Sequence, residues 1–66
     1  MTVEEAEAVF GKQWNYWTQA EQKEYVATLT IADIRLPLNI NLAMNHFENL
    51  PAVVQEYITK NFLKGR

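Results

Sequence analysis

Apolar residues in the first quarter of the chain recur in helical register. Val3, Ala6, Phe10, Trp14 and Trp17 are three or four positions apart. At 100° per residue they fall within a stripe of about 80°. Thr2-Val3-Glu4-Glu5 precedes them as a capping box, in which the threonine hydroxyl and the Glu5 carboxylate reciprocally satisfy free backbone N–H groups. The pattern predicts a first helix of about four turns that runs through Gly11. That glycine lies on the opposite face and weakens the helix by about 1 kcal/mol relative to alanine. Thr18-Gln19-Ala20-Glu21 repeats the capping box. It opens a second predicted helix over residues 19–29, with Tyr25, Val26 and Leu29 as its apolar edge.

Residues 30–38 read in two ways. Thr30-Ile31-Ala32-Asp33 forms a third capping pattern that opens one helical turn, ended where Pro37 biases Leu36 away from helical dihedrals. Alternatively Leu29, Ile31, Ile34, Leu36 and Leu38 belong to an extended, buried connector. The turn is the favoured reading. Asn39 or Asn41 then caps a further helix with Ile40, Ala43, Met44, Phe47 and Leu50 inward. Asn41, Asn45, Glu48 and Asn49 lie outward, Leu42 and His46 fall on the border, and Asn49 is the expected terminator. Pro51 suits the first position of a last helix. Its inward face is Val54, Tyr57, Ile58 and Phe62, with Val53 beside them; Gly65 stops it after Lys64, and Arg66 frays. No pair of alternating runs flanks a hairpin signal, so a sheet is not expected. The fold class is all-α, a small bundle of four to five short helices around one core, with residues 1–66 as a single domain.

Composition narrows the classes. Forty-eight per cent of the 66 residues are apolar, which fits a folded chain rather than a disordered one. Without cysteine there is no disulfide framework and no thiol chemistry. With His46 as the one imidazole there are too few nitrogen or sulfur ligands for a structural zinc site. No cofactor signature and no glycine-rich phosphate loop is present. No apolar run approaches the roughly 20 residues that span a bilayer. The acidic start, Met1 to Glu5, lacks the pattern of a signal peptide, so a soluble, cytoplasmic protein is expected. A chain of this length buries only about 60% of the surface its unfolded state exposes. Association is therefore expected, with a larger protein or with itself as a homodimer.

Net charge is −2. Residues 1–33 carry six acids against Lys12 and Lys23; residues 34–66 carry Glu48 and Glu56 against Arg35, Lys60, Lys64 and Arg66. Acids early in the first helix and bases late in the last match the helix dipoles.

Few residues suggest chemistry. Trp14-Asn15-Tyr16-Trp17 places three aromatics in four positions, either a large aromatic core or an interface anchor. Val9, Tyr16 and Trp17 are the predicted partner-binding residues. Asn41, Asn45 and Asn49 recur every fourth position and suit adenine edges in a major groove, following a segment with helix-turn-helix spacing. Against that, a DNA reader needs phosphate neutralisation, and Arg35 is offset by Asp33 and Glu48. His46 has no carboxylate at three or four positions' distance, and the chain has neither serine nor cysteine to serve as its nucleophile. Glu4, Glu5 and Glu7 suit a first helical turn. No catalytic constellation emerges, and a chain this short is not expected to form a ligand pocket of about 300 Å³. The expected function is a small helical protein-interaction module, acting stoichiometrically as an adaptor, regulator or inhibitor of a larger protein, and not an enzyme. The alternatives are a helix-turn-helix DNA-binding regulator using residues 30–50 and a structural subunit of a larger assembly.

Overall fold

A computed structural model describes residues 1–63; the expected stop at Gly65 and the fraying of Arg66 lie outside them. Four α-helices follow one another: α1 (Val3–Phe10), α2 (Gln19–Val26), α3 (Pro37–Asn45) and α4 (Ala52–Ile58). Single 3₁₀ turns at Trp14–Tyr16, Asp33–Arg35 and Phe47–Asn49 join them. The last helix continues with wider, π-type winding over Thr59–Leu63. No strand occurs among the described residues, and the architecture is the expected small all-α bundle.

Local side-chain chemistry sets the helix starts. Thr2 Oγ1 accepts the Glu5 N–H at 3.1 Å while Glu5 accepts the Thr2 N–H at 2.8 Å. Thr18 and Glu21 do the same at 3.2 and 2.9 Å. Thr30 and Asp33 repeat the pattern, with Asp33 accepting at 3.0 Å. That third exchange opens one 3₁₀ turn, which stops at Leu36 in an extended conformation ahead of Pro37. Glu21 also meets Lys12 at 3.0 Å. Its carboxyl is held below the usual carboxylate range, first by the Thr18 N–H it accepts and next by Lys12. A depressed folded-state pKa contributes stability above the unfolded value of 4.5 that is lost as pH falls. Glu21→Gln keeps an acceptor for Thr18 but cannot titrate. It is expected to flatten the fall in melting temperature between about pH 5 and about pH 3, measured by circular dichroism.

The first helix is shorter than its stripe predicts. Gly11 ends it at φ 77°, its N–H returning to the Glu7 carbonyl at 2.8 Å. The dihedral is what calls for glycine there, since a β-carbon would meet nothing within 4 Å. The chain beyond Gly11 turns away, so the helical spacing of Trp14 and Trp17 is not helical structure. Trp17 reaches the core along another path, and Trp14, expected inside, is exposed. The second helix ends at Val26 rather than at residue 29, although Tyr25, Val26 and Leu29 are all buried as expected.

The third helix differs most from expectation. Pro37 occupies its first position, so neither Asn39 nor Asn41 is the cap. Its buried positions are Asn39, Leu42 and Ala43, with His46 at its end. Ile40 is half-buried and Met44 exposed. The inward face is rotated toward the polar residues because Asn39 and His46 both find partners inside. His46, at φ −130° and ψ 43°, ends the helix. Asn49 lies in the following 3₁₀ turn and has no left-handed dihedral. Pro51 immediately precedes α4 and does not begin it. Val54 and Ile58 are buried, Tyr57 is half-buried, and Phe62 is exposed with its ring edge-on to Tyr57 at 6.1 Å.

The core joins Ala6, Trp17, Tyr25, Val26, Leu29, Ile34, Leu42, Ala43, Leu50, Val54 and Ile58. Trp17 is its aromatic centre. Phe10 meets it edge-on at 5.2 Å and Tyr25 lies at 5.1 Å. Gln55 ties α4 to the preceding turn by donating to the Phe47, Leu50 and Glu48 carbonyls at 2.9, 3.1 and 3.4 Å.

Candidate interaction surface

The polar interior is internally satisfied. The Asn39 side chain, 1% exposed, accepts the Tyr25 O–H at 2.7 Å and donates to the Asp33 carbonyl at 3.0 Å. Burial raises the Tyr25 phenol above its ordinary value of 10, and the charge of Asp33 adds to the rise. The bond with Asn39 acts in the opposite sense. Gln22 donates through Nε2 to the Trp17 carbonyl at 3.3 Å, which turns its Oε1 toward His46 Nε2 at 2.7 Å. A carbonyl oxygen only accepts, so His46 carries its proton on Nε2 there. Among the described residues no fully buried side-chain nitrogen or oxygen lacks a partner, and no three potential metal-ligating side chains converge.

The predicted partner-binding residues separate. Trp17 is 5% exposed, donates its indole N–H to the Lys12 carbonyl at 3.1 Å, and belongs to the core. It therefore offers no free surface. Val9 and Tyr16 are 68% and 67% exposed, the most exposed of the large apolar residues whose side chains are described. Trp14, 42% exposed, accompanies Tyr16 in the same 3₁₀ turn. The Trp14 N–H bonds the Glu7 carboxylate at 3.1 Å. On the α1 wheel, Glu7 and Val9 lie on opposite sides of the core stripe, so that bond anchors the aromatic turn on the side away from Val9.

The asparagines do not form one continuous stripe. Asn41 and Asn45 are exposed on α3, while Asn49 follows the break at His46 and is half-buried. Within residues 30–50, the segment ahead of α3 is one 3₁₀ turn, and no α-helix stands there to act as the first helix of a helix-turn-helix.

Several surface grooves accompany this framework among the described residues, four of them as follows. Lys23, Met44, Asn45, His46, Asn49 and their neighbours line one of about 280 Å³. Val3, Glu4, Asp33, Leu36 and Asn39 contribute to one of about 330 Å³. Two more, about 670 and about 180 Å³, run along α4. Two of the four exceed 300 Å³, and both lie open along the surface and are not enclosed cavities. Neither Val9 nor Tyr16 lines any of the four.

Comparison with known proteins brings no relative to this geometry: no family model, no curated protein and no solved structure matches the chain.

The sequence reading missed Asn39 as a buried anchor and α4 as a grooved face. A signal for the first was present. Asn39, Leu42, Ala43 and His46 are spaced three, one and three apart, a helical stripe with a polar residue at each end. Counting only apolar positions hides it.

Proposed function

We propose that the protein is a small helical interaction module that acts stoichiometrically, as an adaptor, regulator or inhibitor, by occupying the surface of a larger protein. One observation carries this reading. Among the described residues every buried side-chain nitrogen and oxygen has a partner within the fold, yet Tyr16 and Val9 lie largely outside it and Trp14 is 42% exposed. Tyrosine and tryptophan combine large apolar area with a polar handle and dominate the energetics of protein contacts. Of the two indoles, Trp17 is enclosed by Phe10 and Tyr25, whereas Trp14 is held at the surface by its backbone bond to Glu7.

The test is capture from the native host on tagged protein, with and without nuclease, read by mass spectrometry. One protein retained in stoichiometric amount after nuclease is the expected result. Tyr16→Ala is expected to lower its capture at least tenfold while shifting stability by no more than about 0.5 kcal/mol, as exposed substitutions do. Capture indifferent to both Tyr16→Ala and Val9→Asp, or abolished by nuclease, overturns the proposal.

A further inference from the structure

We draw no further inference here: the strongest candidate, the open cleft of about 330 Å³ beside the starts of α1 and α3, lined by Val3, Glu4, Asp33, Leu36 and Asn39, carries nothing because its charged lining is two carboxylates at helix starts, Asn39 is already bonded to Tyr25 and Asp33, and nothing in the structure points to a ligand there.

Discussion

Trp17→Ala is expected to abolish cooperative folding at 25 °C. The indole is 5% exposed, packed edge-on by Phe10 and tilted against Tyr25, and it donates to the Lys12 carbonyl just past the end of α1. Truncating a buried tryptophan costs about 3–5 kcal/mol through lost burial and the cavity left behind. A single core of this size rarely supplies more than about 3–5 kcal/mol in total. The two quantities are equal in scale, so the variant has no margin. Circular dichroism through a urea titration is the check. The wild type should show one sigmoidal transition and Trp17→Ala none. Trp14→Ala is the control, since the other indole is substantially exposed. A Trp17→Ala protein with a transition close to wild type would show that the aromatic cluster is not the centre of the core.

Asn39→Leu is expected to cost about 2–4 kcal/mol despite closely conserving volume, because it strands two polar groups. The Tyr25 hydroxyl loses its acceptor and the Asp33 carbonyl its donor, in a region sealed from water on the Tyr25 side. Adding Tyr25→Phe removes one of the stranded groups and should recover about 1–2 kcal/mol. A double-mutant cycle by urea denaturation isolates that recovery; strict additivity would mean that the 2.7 Å bond contributes nothing. The same phenol sets an alkaline limit. Its pKa is raised in the fold, so its contribution is complete below about pH 10 and is lost as pH rises through the folded-state value. Tyr25→Phe should remove that part of the alkaline decline in melting temperature.

What was legible in the sequence is what is decided locally. Thr2 with Glu5, Thr18 with Glu21, and Thr30 with Asp33 each need only three residues' separation, and all three exchanges are present. Tyr25, Val26, Val54 and Ile58 were readable because apolar side chains on the inward stripe of a helix face the core, and Leu29 is buried although its helix ends at Val26. The failures arise where distant contacts outweigh periodicity. Gly11 ended a stripe that continued on paper, since a left-handed residue closes a helix whatever follows it. Asn39 went inside because Tyr25, fourteen residues away, offers a hydroxyl there. The grooves along α4 depend on where Phe47 and Ile31 arrive from other segments, which no spacing within residues 51–63 encodes.

The reach of the side-chain hydrogen bonds also has a kinetic meaning. The Tyr25–Asn39 and Gln22–His46 bonds span fourteen and twenty-four positions, while the other side-chain hydrogen bonds and ion pairs among the described residues close over nine positions or fewer. Short loops cost little entropy to close, and proteins dominated by them fold quickly. The helix starts can therefore form early and independently in a collapsing chain. The Tyr25 and His46 bonds both link α2 to the chain around α3. They can close only when those two segments meet, so the search for the native state reduces largely to the docking of one preformed helix on another.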